Sequence, residues 1–186
     1  NRVKRNKRRY VSWVGVFQHQ KNLPLLLKIA KSYPEVDFKI AGKKLENIDK
    51  STEKALLQLQ NQLNVHFVGY LSRIELFPFL SNAICLLNTS YYEGFPNTFL
   101  ESLAVGTPVV TTDEIDPDHI IKTHCLGFTC KDPDGLLVCL RALISYEKFD
   151  YLSLNCIDYV KKHHDQNNLA KIFVQYLNKS KKISNQ

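Results

Sequence analysis

The chain has 186 residues, of which 44% are hydrophobic and 23% charged, with a net charge of +7. That length suits one domain with a real core, and the composition is that of a globular protein rather than a disordered or fibrous one. No apolar run approaches the roughly 18 residues needed to cross a bilayer, and the opening "NRVKRNKRRY" lacks the apolar stretch of a signal peptide.

In chain order, "YVSWVGVF" is an apolar, β-rich run and predicts a strand. "NLPLLLKIAKSY" has helical spacing, with Pro24 tolerable in the first turn. "DFKIAG" is a strand stopped by Gly42. Residues 51–63, "STEKALLQLQNQL", form an amphipathic helix with Ser51 or Thr52 as its cap. "VHFVGY" is a strand. "SRIELFPFLSNA" is a helix opened by a Ser72/Glu75 capping box, its end blurred by Pro78. "ICLLNTS" is a buried strand, "NTFLESLAVG" a helix closed by Gly106, and "PVVTT" a further strand. A helix starts near Asp118, a short strand follows at "GFTC", and helices fill most of 134–180.

Strands alternating with helices of this length require right-handed crossovers and a parallel sheet. The strands are nearly continuous in apolar residues, as when both faces are covered. The expected fold class is α/β: a Rossmann-like, doubly wound parallel sheet with flanking helices. Residues 1–9 read as a basic linker, 10–180 as the Rossmann-like domain and 181–186 as a tail. The missing Met, initiator included, points to a piece of a longer protein.

The charge is uneven. Residues 1–10 hold six Lys/Arg and no acid, and residues 161–186 hold six Lys against one Asp. The body between them is mildly acidic, whereas a nucleic-acid-binding domain more often carries its basic patch on the folded body. The basic ends therefore read as solvated termini, or as contacts to an anionic membrane surface or a neighbouring domain. The five cysteines contain no C-x-x-C, and Cys85, Cys139 and Cys156 sit in apolar company. A reducing, cytoplasmic compartment is the simplest reading. "KKHHDQ" lies near a helix end and is not read as a metal site.

Ligands of open α/β sheets bind beyond the carboxyl ends of the strands. The stretch "YYEGFPNTFLE" sits there, between "ICLLN" and the next helix. Gly94 admits close backbone approach, Pro96 fixes the turn, and the first helical amides are ready for a phosphate. Glu93 in the loop and Glu101 in the helix would suit a polyhydroxylated ligand. Each also has an ordinary reading. Thr98-x-x-Glu101 is itself a capping-box pattern, Glu93 alone is a surface acid, and Lys21 alone is a solvated loop lysine.

The longer stretch "YYEGFPNTFLESLAVGTPVVTTD" resembles the signature of the C-terminal, donor-binding domain of retaining glycosyltransferases of family 4 (glycosyl transferases group 1), which have the GT-B fold. "WVGVFQHQKNLPLLLKIAKSYPEVDFKIAG" and "VHFVGYLSRIELFPFLSNAICLLN" extend the resemblance over roughly residues 10–146. The resemblance implies a nucleotide-sugar-binding domain of bacterial type, used with an N-terminal Rossmann-like half to build a polysaccharide or glycolipid. Glu93 and the backbone of Gly94, Phe95, Pro96 and Asn97 would hold the transferred sugar, and Glu101 the ribose. Thr98 would help hold the diphosphate. Lys21, beside Gly15, would neutralise the leaving diphosphate, so that Lys21 and Glu93 form the catalytic pair. The chemistry implied is metal-independent, without a cofactor, on the cytoplasmic side and in reach of the inner face of the plasma membrane.

Two departures stand out. Val16 occupies the place where many members carry a phosphate-binding Arg, leaving His19 or Gln20 as the candidates to contribute in its stead, and "EIDPDH" replaces the glycines usual after "VVTTD". Val16 favours the alternative of a non-catalytic scaffold or interaction domain that has lost donor binding. The two D-P-D sequences at 116–118 and 132–134 precede helices, where Asp is a good cap.

Overall fold

A computed structural model describes residues 4–165; the expected tail and the helical stretch beyond 165 lie outside the described residues. Among the described residues, six strands form one sheet: β1 Tyr10–Val14, β2 Phe38–Ala41, β3 Val65–Gly69, β4 Ala83–Leu87, β5 Val109–Thr112 and β6 Gly127–Cys130. All neighbours pair in parallel, in the order β3-β2-β1-β4-β5-β6. This is the doubly wound Rossmann order, with its topological switch point between β1 and β4. The helices are α1 Leu23–Ser32, α2 Lys50–Gln60, α3 Arg73–Ser81, α4 Asn97–Ala104, α5 Ile120–Thr123, α6 Gly135–Ile144 and α7 Phe149–His163.

Side chains alternate across each strand, so the central strands β1, β4 and β5 feed both faces, while β2, β3 and β6 supply hydrophobic residues to one. Val11, Trp13, Cys85, Leu87 and Val110 join α1, α2 and α6 in one core. Leu86 and Val109 join α3, α4, α5 and α7 in the other. Each fully buried large aliphatic or aromatic chain contributes about 1.5–3 kcal/mol of transfer free energy. Trp13 is buried, and its indole N–H donates to Thr89 Oγ1 at 3.0 Å.

Several local expectations change. β1 ends at Val14 instead of running to Phe17. Gly15 still donates to Ala41 O, and Phe17 meets the chain beyond β2 through an isolated bridge to Lys44. The cap of α2 is Asp49, not Ser51 or Thr52: its carboxylate accepts from Thr52 N at 3.0 Å and from the Thr52 hydroxyl at 2.6 Å. The expected capping box of α4 is absent, because Thr98 is already the second helical residue and the cap position is Pro96, which makes no side-chain bond. The box at Ser72 and Glu75 is present, and α3 continues through Pro78 to Ser81. Gly106 follows the end of α4 with φ +71, the left-handed geometry of a helix stop.

Arg8, in the basic leading segment, is part of the packed body. It is 3% exposed, donates to Ala83 O and Gly106 O at 2.8 Å each, bonds Thr107 Oγ1, and lies 5.3 Å from the centre of the Phe149 ring.

Asp49 supplies a pH test. Hydrogen bonds from Ser51 and Thr52, aided by the nearby His19, hold its carboxyl well below the ordinary 3.8. A carboxylate depressed in the folded state adds stability above its unfolded value and loses it as pH falls. Asp49→Ala should therefore melt below the parent at pH 7, and the gap should shrink as pH drops below 3.8. Melts across pH check this; a gap independent of pH would show that the charged cap is not its source.

Candidate functional site

A cleft of about 590 Å³ opens beyond the carboxyl ends of β1, β2 and β3. Its floor is Val14, Gly15 and Val16 at the end of β1, and Ala41 and Gly42 at the end of β2. One side is Lys43, Tyr70, Leu71, Arg73 and Leu76, and the other is α4 through Asn97, Leu100 and Glu101. The last three residues fall at i, i+3 and i+4, so a single face of α4 fronts the cleft. Phe99 and Leu103 take the opposite face into the core. Glu101 thus lines the cleft and takes no part in a helix cap.

The floor is held close. A Cβ on Gly42 would lie 1.9 Å from Gly15 O, so only glycine permits these two turns to touch. Lys21 packs its stem on the other side of Gly15: a Cβ there would meet Lys21 Cδ at 3.3 Å and Cε at 3.4 Å.

Beside this floor, Lys21 Nζ and Glu93 form an ion pair, with side chains only 18% and 10% exposed. Neither lines the main cleft. Glu93 is fixed by two further donors, the Ser90 hydroxyl at 2.7 Å and the Gln20 amide at 3.3 Å. Gln20 also donates to Tyr92 O at 2.7 Å and accepts at its own carbonyl from Tyr91 N at 2.8 Å. Thr89 accepts from Trp13 and donates to Lys21 O at 2.8 Å. The core thereby sets the position of the lysine, and the lysine loop sets the carboxylate.

The other named residues spread out. Gly94 and Phe95 are exposed on the loop, and Phe95 lies 6.0 Å from the His164 ring. Pro96 is buried, and Thr98 is half-buried and does not line the cleft. The structure therefore brings Gly15, Asn97 and Glu101 to one cleft and sets Lys21 with Glu93 at its edge.

Sequence reasoning named Gln20 only as a stand-in for the missing cation and not as a partner of Glu93, and it missed Ser90, which also holds Glu93, and Tyr70, Lys43 and Arg73 on the cleft wall. The last three all follow the ends of β2 or β3, a position that marks them once the strands are known. The first aspartates of the two D-P-D sequences act locally. Asp116 accepts from Ile121 N and Lys122 N at 2.8 and 3.2 Å, and Asp132 from Gly135 N at 2.9 Å. Among the described residues, no three of His, Cys, Asp and Glu gather into a set able to hold a metal ion. No helix there is long and apolar enough to cross a membrane.

Comparison with known proteins agrees with this architecture. An uncharacterised glycosyltransferase of Methanocaldococcus jannaschii is 30% identical over 106 residues, covering 54% of this chain and 25% of that protein. The glycogen synthase of Mycobacterium tuberculosis is 26% identical over 141 residues, covering 71% of this chain and 33% of that protein. The chain thus spans about a quarter to a third of the length of these relatives. Among solved structures, the sucrose-phosphate synthase of Thermosynechococcus elongatus superposes with a TM-score of 0.79 at 20% identity, over 95% of this chain and 46% of that one. Anabaena HepE in complex with UDP gives 0.75 at 16% identity, over 94% and 50%. These likenesses show the fold, the Rossmann-like unit of GT-B glycosyltransferases. The family profile described as glycosyl transferases group 1 matches residues 1–176, and the chain belongs to that family.

Proposed function

We propose that the cleft binds the nucleoside diphosphate of a sugar donor, and that the chain is the donor-binding half of a retaining glycosyltransferase acting on a polysaccharide or glycolipid acceptor. The observation that carries this reading is the placement of Glu101 and Asn97 across from Gly15 at the sheet's switch point. The ribose hydroxyls donate to Glu101. The diphosphate lies over Gly15 toward the first amides of α4 and Lys21, where charge developing on the leaving group is neutralised. Glu93, with Gly94 to Asn97, faces the sugar. The solved structure of HepE contains UDP, which supports a nucleotide ligand at this fold.

In this proposal the transfer needs no metal, and the acceptor is held by an N-terminal Rossmann-like half, the whole working at the cytoplasmic face of an anionic membrane. Positioning of the acceptor supplies on the order of 7–11 kcal/mol in favourable reactions, so this chain alone should bind nucleotide and transfer nothing. The alternative, a scaffold without donor binding, is favoured by one feature: Val16 puts an apolar side chain on the cleft floor.

The test is calorimetric titration of UDP and GDP, with a radiolabelled transfer assay alongside. Glu101→Ala should weaken nucleotide binding about 10- to 100-fold, since hydrogen bonds to a charged group contribute about 1.5–3 kcal/mol. Glu101→Gln should weaken it less. Neither should move the melting temperature, because Glu101 caps nothing. Parent-like binding by both variants removes Glu101 from the site. No nucleotide binding by the parent favours the scaffold.

A further inference from the structure

The cleft has a charged wall that the proposed phosphate contacts do not use. Lys43 follows β2, and Arg73 opens α3 just after β3. Both line the cleft, and among the described residues neither has an ion-pair partner. The adjacent Lys44 differs, being paired with Glu53 at 3.1 Å. Lys43 Nζ lies 5.9 Å from the centre of the exposed Tyr70 ring, which lines the same wall.

Strand order places these cations along the ligand. Lys21 and the start of α4 mark the β1–β4 switch point, where the phosphates belong on the reading above. β2 and then β3 lie outward from β1. Strands are spaced about 4.8 Å apart, so the end of β3 is about 10 Å from that of β1. A nucleoside diphosphate laid from the switch point past Glu101 brings its base, not its phosphates, to Tyr70, Lys43 and Arg73.

Lysine and arginine carry donors only. A base fits this wall when its edge presents acceptors. Uracil offers carbonyl oxygens, and guanine offers O6 beside N7, the pair that an arginine reads with two bonds. Adenine sets an amino donor beside N7, so its edge meets the guanidinium donor to donor. We propose that Lys43 and Arg73 are specificity-determining residues that select donors with an oxo base, uracil or guanine, against adenine. This rests on the nucleotide reading of the cleft and goes beyond it by naming the base class.

The experiment titrates the 186-residue chain, Lys43→Ala and Arg73→Ala with UDP, GDP, ADP and inorganic pyrophosphate at one ionic strength. Thermal melts confirm that each variant is folded. The parent should bind UDP or GDP about tenfold or more tighter than ADP. Arg73→Ala should cost about tenfold for the preferred oxo-base nucleotide, Lys43→Ala a smaller factor, and both should leave ADP and pyrophosphate unchanged. Equal losses for all three nucleotides and pyrophosphate would make the two cations phosphate ligands and overturn the inference while leaving the nucleotide site standing. Parent affinity for ADP equal to that for UDP and GDP would overturn it as well. Failure of the parent to bind any nucleotide would overturn the donor-site reading, and the base preference with it.

Discussion

Gly42→Ala is expected to lower the melting temperature by about 6–12 °C and to remove nucleotide binding, the first effect corresponding to about 3 kcal/mol of overpacking in a domain of this size. The added Cβ would sit 1.9 Å from Gly15 O, 3.0 Å from Gly15 C and 3.1 Å from the Phe17 ring. The obstacle is backbone on both sides. Gly15 N is bonded to Ala41 O at 3.0 Å and Gly42 N to Gly69 O at 2.8 Å, so neither turn can retreat without breaking a sheet bond. Movement of Gly15 also displaces Val16 on the floor and the Lys21 stem that rests on it. Gly94→Ala is the counterpart: its Cβ would meet nothing within 4 Å, so stability should be unchanged. A loss of binding in Gly94→Ala alone would reflect ligand approach at the loop. A Gly42→Ala protein that melts and binds like the parent would show that the floor yields, and would remove close packing of the two turns from the site.

Lys21→Ala should have two separable effects. Binding of UDP or GDP should fall about 100-fold while that of uridine or guanosine changes little, because an ammonium group acts on phosphate as a point charge. Stability should fall by about 3 kcal/mol, since removal of one partner leaves a mostly buried charge behind. Among the described residues, Glu93 would keep only Ser90 and Gln20 as donors. The double variant Lys21→Ala/Glu93→Gln should recover most of the stability and none of the diphosphate affinity. Equal losses for nucleoside and diphosphate would take Lys21 out of the phosphate site. An unchanged melt in the single variant would show that the ion pair adds nothing to the fold.

Much of the architecture was legible. The apolar strand runs and the helical spacing of "NLPLLLKIAKSY" specify a parallel sheet covered on both faces, because period and burial act locally along the chain. Gly106 signalled a helix end for the same reason, and its positive φ agrees. Caps were less legible. Asp49 lies before the apolar periodicity begins, so Ser51 and Thr52 looked equally able to serve. In the candidate site, Glu101 was readable as a crevice acid from its place after the strand, whereas Gly15 and Asn97 came only from the family resemblance; all three line one cleft. Ser90, Lys43, Arg73 and the bond from Gln20 to Glu93 were not, because their contribution depends on which strand ends become neighbours. That is a property of sheet order, which separates β3 from β4 by two strands although they are adjacent in sequence.

Arg8 has a mechanical consequence. Its guanidinium rivets the leading segment to Ala83 at the start of β4 and to Gly106, just past the end of α4. That same helix carries Asn97 at its far end and Glu101 at its middle. A pull on the leading segment is therefore shared with β4 and with the root of α4 and does not simply peel β1 from the sheet. Displacement ahead of Tyr10 would therefore act on the carboxyl end of the helix whose first residue, Asn97, lines the cleft.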